Sequence, residues 1–134
     1  MAVPIHFAAV LVAALVSYVL GAIWFGPIFG NAWKSLTGIP EMKPGPSAMI
    51  LGFIGSLLMS YVLAHAMIFA STYLNATGVS AGLMGGFFNW LGFIAPVTLG
   101  VVIYEKKPWK LWFLTNSYWL LSLLVMGVIL SVWK

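Results

Sequence analysis

The sequence predicts an all-α fold: an integral membrane bundle of four transmembrane helices, folded as one domain over residues 1–134. Composition is the first reason. Of 134 residues, 63% are apolar and 6% charged, whereas a soluble domain carries about a quarter charged residues. Six Lys and two Glu, with no Arg or Asp, cannot coat a water-facing exterior, and a mean hydropathy of +1.07 agrees. Lipid must cover most of the surface. The second reason is four apolar stretches, at about 5–26, 47–71, 81–104 and 110–132, free of Lys and Glu except near their ends. Each approaches or exceeds the roughly 20 residues that cross a bilayer core. The third is that stretches this long without alternating polarity fit helices, which pair their own backbone groups in lipid, and not strands.

The elements follow in chain order. Met1-Ala2-Val3-Pro4 has no basic flank, and the apolar run behind it is too long for a signal peptide's core, so it is read as a retained first span. Gly26-Pro27 through Pro44-Gly45-Pro46 forms the first break. Within it, Phe29 to Leu36 is either a short interfacial helix, with Phe29, Trp33 and Leu36 toward lipid, or an irregular loop with anchoring aromatics. Span two ends in the polar run Ser71 to Gly78, and span three ends at Glu105-Lys106-Lys107-Pro108. Pro96 is expected either to kink span three as simple packing or to free carbonyls around Asn89 to Gly92 for coordination.

Lysines set the expected orientation, because cytoplasmic loops retain positive charge. Lys34, Lys43, Lys106, Lys107 and Lys110 fall in the first and third breaks, against Lys134 on the other side. This predicts a multi-pass protein of the cell inner membrane with both termini on the non-cytoplasmic side. Trp24, Trp33, Trp109 and Trp112 flank the lysine-rich face and Trp133 the other, as interface anchors. The pI near 9.6 is explained by these topogenic lysines, so nucleic acid is set aside as a partner. The partners expected are membrane lipids and a homo-oligomer or another membrane protein.

Small residues at four-residue spacing mark close helix packing. Ala9, Ala13, Ser17 and Gly21 form such a row in span one, Gly52, Ser56, Ser60 and Ala64 in span two, and Gly78, Gly82 and Gly86 in span three. They serve either intramolecular packing or an oligomer interface. His65 is the histidine well inside a span, at a depth similar to Asn89, with Tyr61 one turn away. With Asn116 these make a candidate intramembrane polar cluster. It is either a set of hydrogen-bonded structural groups, His65 bonding Asn89 across the helix pair, or part of a pore or relay. Asn116 and Ser117 lie near the depth of Ser17 and Tyr18 and read as helix glue. Catalytic, cofactor and metal residues are expected to be none: there is no cysteine, no carboxylate pair, no Walker loop and no dinucleotide fingerprint.

Trp24-Phe25-Gly26-Pro27-Ile28-Phe29-Gly30-Asn31-Ala32-Trp33, Asn89-Trp90-Leu91-Gly92-Phe93, and Asn116-Ser117-Tyr118 followed by Gly127 and Trp133, resemble domain-of-unknown-function family 1761. The resemblance covers nearly the whole chain. It implies a small, mainly bacterial membrane protein of four spans and adds no activity. It also draws attention to the first cytoplasmic junction, where Pro27 is expected to end the helix and Gly26 and Gly30 to permit a tight turn. The reading that asks least is a non-enzymatic structural or accessory membrane protein. The alternative is a channel or transporter for ions or small solutes with a path near His65, Asn89 and Tyr61, and a lipid-acting enzyme ranks last.

Overall fold

The structure, a computed structural model, describes residues 4–39 and 45–133. Lys43 and Lys134, two of the six topology lysines, lie outside the described residues, as does Glu41. Among the described residues the chain is 87% helical without strands. Four helices are long and apolar enough to cross a membrane: Phe7–Ile28, Pro46–Leu74, Gly78–Ile103 and Trp109–Val132.

The first of these is α1 (Phe7–Ile23) continued by a π-helical turn, Trp24–Ile28. Pro27 does not end it, contrary to expectation. A proline inside a helix has no N–H to donate and crowds the carbonyl four residues back. Here the helix widens instead, and the Phe29 N–H reaches the Trp24 carbonyl five residues back at 2.8 Å. A short helix α2 (Gly30–Thr37) follows, ended by Gly38 in the left-handed conformation at φ +77°. Its face is turned the other way from that expected. Phe29, Trp33 and Leu36 are half-buried while Asn31, Ala32 and Ser35 are exposed, because α2 packs on α6 and on the π turn, with Phe29 stacked 4.7 Å from Trp24.

Helix α3 (Pro46–Leu74) starts with proline in its first turn and stops at Asn75, left-handed at φ 55°. A three-residue link leads to α4 (Gly78–Asn89), a second π turn (Trp90–Ile94) and α5 (Ala95–Ile103). Helix α6 (Trp109–Val132) closes the bundle. In the packing α4 lies closest to α6, α1 packs on both α3 and α6, and α3 reaches α4 and, across the bundle, α6. Ala13, Leu63, Met67, Ala81, Leu123 and Met126 form the core.

The small-residue rows each meet a particular helix. In the α4 row, a Cβ added at Gly82 would stand 2.6 Å from the Gly127 carbonyl and one at Gly86 2.5 Å from the Leu123 carbonyl oxygen, so α4 and α6 meet backbone to backbone. In the α1 row, Ser17 meets Ser122 and Gly21 meets Tyr118 of α6. In the α3 row, Gly52 meets Tyr18 and Ser60 meets Val10 of α1. Gly78, at φ +77°, adopts a conformation that favours glycine, and its carbonyl accepts the Ser131 hydroxyl at 2.7 Å.

Candidate functional site

Two stretches share one form. Trp24-Phe25-Gly26-Pro27-Ile28 and Trp90-Leu91-Gly92-Phe93-Ile94 both read W-x-G-x-I, and both are the π turns. Each opens on a tryptophan whose indole N–H is given to α6. Trp24 Nε1 donates to the Leu114 carbonyl at 3.1 Å, and Trp90 Nε1 donates to Asn116 Oδ1 at 3.1 Å. The spans run in the same direction, so α6 is gripped from two sides two residues apart. Trp24 therefore ties the end of the first span to α6. Single π turns inside α-helices are frequent at functional sites.

Asn116 is the centre of this grip. It is 2% exposed, and its Nδ2 donates to Thr98 Oγ1 at 3.0 Å and to the Trp112 carbonyl at 3.0 Å. Thr98 Oγ1 also lies 2.7 Å from the Ile94 carbonyl, which ties α5 back to the π turn ahead of Pro96. Of the carbonyls near Pro96, Trp90's accepts the Ala95 N–H and Ile94's the Thr98 hydroxyl. One turn below Asn116, the buried Trp112 Nε1 has no partner among the described residues, while Trp109 is exposed and packs edge-on against Trp112 at 6.2 Å.

Higher on α6, Ser122 Oγ lies 2.5 Å from Ser17 Oγ, and the Tyr118 hydroxyl donates to the Ser17 carbonyl at 2.8 Å. Ser60 Oγ donates to the Val10 carbonyl at 2.8 Å. All four side chains are buried. Ser17, expected near the depth of Asn116, pairs instead with Ser122.

The expected bond between His65 and Asn89 is not made. Asn89 Nδ2 donates to the Gly85 carbonyl of its own helix at 2.7 Å, and His65 Nδ1 lies 2.9 Å from the Tyr61 carbonyl of its own. A carbonyl only accepts, so Nδ1 is the donor of this bond, and in the neutral ring Nε2 is then an acceptor. Tyr61, 42% exposed, packs edge-on against the imidazole at 4.6 Å, on an outward face of α3 with Leu58, Val62 and Phe69. The four cluster residues are therefore not gathered: Tyr61 and His65 pair on the outside, Asn116 bonds the second π turn and α5, and Asn89 bonds its own turn.

At the end of the bundle away from the lysine-bearing loops lies a cavity of about 240 Å³. Its rim includes His6 and Trp133, rings 5.7 Å apart. Neither His6 nor the shared W-x-G-x-I form was singled out from sequence; the repeat of that pattern was the available signal for the second. At the opposite end, Lys107 Nζ donates to the Thr37 carbonyl at 3.3 Å, tying the third loop to the C-terminus of α2. Among the described residues no three of His, Asp and Glu gather as a metal site.

A family model described as "Protein of unknown function (DUF1761)" matches residues 8–131. No curated protein and no solved structure matches the chain.

Proposed function

The chain belongs to the DUF1761 family, and from that premise we propose a non-catalytic accessory protein of the cell inner membrane that packs, as a homo-oligomer, through the outer face of α3. The use of its polar side chains carries this reading. Ser17, Ser60, Asn116, Tyr118, Ser122 and Ser131 are engaged in bonds between helices. Such bonds contribute about 0.6 kcal/mol each on average in a membrane, and they leave those groups little capacity to line a path. Tyr61 and His65 are different. They lie near the middle of a 29-residue helix, facing outward with a hydroxyl donor and a free imidazole acceptor one turn apart. Acyl chains can satisfy neither. A second copy related by a two-fold axis offers the complementary acceptor and donor.

Both termini are assigned to the non-cytoplasmic side. Lys34, Lys106, Lys107 and Lys110 lie together at the other end of the bundle, and positive charge favours the cytoplasm. Terminal fusions to a reporter active only in the cytoplasm are expected to be silent, and an active one would reverse the assignment.

The chain has no cysteine, so single cysteines report association cleanly. In liposomes Val62→Cys on the α3 face is expected to cross-link between copies, and Val97→Cys on α5 is not. Adding Tyr61→Phe and His65→Phe to Val62→Cys should lower the cross-linked fraction several-fold. Equal cross-linking at both positions would refute the interface. Solute flux through the cross-linked oligomer would move the reading to a transport path near Tyr61, His65 and Asn89.

A further inference from the structure

The cavity at the end of the bundle joins four elements. The segment before α1 brings Pro4 and His6, α3 brings Met67 and Ser71, the α3–α4 link brings Thr77, and α6 ends on Trp133. Its chemistry is layered. The floor is apolar, with Met67, Ala9 and Ala64 all at or below 5% exposure. The rim is polar and rich in donors. His6 Nδ1 accepts the Ala9 N–H at 3.3 Å as the N-cap of α1, so the proton of the neutral ring resides on Nε2, leaving that atom a donor. Trp133 supplies an indole N–H that can only donate. Thr77, N-cap of α4, makes no side-chain cap bond, so its hydroxyl is free to turn toward a ligand. Among the described residues no carboxylate lines the wall, and His6 is the one titratable side chain there.

We propose that this cavity binds a short single-chain amphiphile bearing a carboxylate head, its chain on the Met67 floor and its head among His6, Thr77 and Trp133. Size supports a single short chain. About 240 Å³ equals about eight waters at about 30 Å³ each, far less than a two-chain lipid needs. Head chemistry follows from the rim, because two N–H donors and a hydroxyl, with no acid among the described lining residues, favour an acceptor over an ammonium. An amine of the same chain length would find only the Thr77 hydroxyl to accept its protons and would set them against the His6 and Trp133 N–H groups.

The test uses the full chain in lipid nanodiscs with its methionine methyls carbon-13 labelled, Met67 assigned through Met67→Leu. Octanoate is expected to shift the Met67 methyl resonance saturably, while octylamine at equal concentration does not. Ser71→Phe, which gives up only the hydroxyl's bond to the Ile68 carbonyl of its own helix, fills the cavity and should abolish the shift. His6→Asp keeps an N-cap acceptor for Ala9 but sets a carboxylate against the ligand's head. It should weaken octanoate at least tenfold with thermal unfolding unchanged. A shift that never saturates, that octylamine reproduces, or that survives His6→Asp undiminished overturns the proposal and leaves only partition into the bilayer.

Discussion

Adding one methyl group at Gly82 tests whether backbone contact holds the bundle together. A Cβ there would stand 2.6 Å from the Gly127 carbonyl carbon, its oxygen and Ser131 Oγ. Ordinary contact requires about 3.5–4.0 Å, so Gly82→Ala must push α4 and α6 apart by about 1 Å, because the Gly127 backbone atoms cannot swing aside as a side chain would. A gap of that size forfeits about a quarter to a half of each dispersion contact along the pair, and overpacking typically costs about 1–3 kcal/mol. The Ser131 hydroxyl bond to the Gly78 carbonyl, 2.7 Å long, lies one turn away and stretches with the pair, adding about 1 kcal/mol. The expected loss is therefore about 2–4 kcal/mol. Reversible unfolding in mixed micelles against increasing SDS fraction measures it. Gly92→Ala is the control: the same methyl meets nothing within 4 Å, and the change should be neutral or stabilising by up to about 1 kcal/mol through helix propensity. If the two substitutions cost the same, close approach of α4 and α6 is not what stabilises the bundle.

Three further outcomes are expected in the same assay. Asn116→Leu removes the partner of Trp90 and Thr98 together and should cost about 2 kcal/mol; an unchanged midpoint would deny Asn116 its central place. A double-mutant cycle with Ser17→Ala and Ser122→Ala should return a coupling of about 0.6–1.7 kcal/mol, and simple additivity would mean that the two hydroxyls do not interact. Trp112→Phe discards a buried N–H without a partner among the described residues, whereas Trp90→Phe discards one bonded to Asn116. The second should therefore be the costlier by about 1 kcal/mol, and the reverse order would place the hydrogen bond on the wrong tryptophan.

What could be read from the sequence divides along a physical line. Length and hydropathy are properties of a run of residues, so four helices separated at Pro27–Pro46, Ser71–Gly78 and Glu105–Pro108 were legible. Which way a side chain points around a helix is legible only when polarity repeats every 3.6 residues. These spans are apolar on nearly every side. His65 and Asn89 could thus be matched in depth but not in direction, and the structure turns each to its own helix. Small-residue spacing did carry direction, because only a face free of bulk admits another backbone, although the identity of the neighbouring helix was not contained in it. The π turns were hidden for a different reason. Pro27 is visible, but whether a helix stops at proline or widens around it depends on what waits alongside, here the Leu114 carbonyl and Asn116 of α6 that receive the two indoles.

That grip on α6 has a consequence for the order of assembly. Helix α6 is synthesised after the three spans it binds, and until it enters the membrane the Gly82–Gly86 groove, the Ser17 hydroxyl and the indoles of Trp24 and Trp90 have no partner to meet. The earlier spans consequently form a half-built receptor into which α6 docks. A chain interrupted before Trp109 would present unfilled grooves and unpaired donors to the bilayer, the features by which a membrane protease distinguishes an unfinished protein from a finished one.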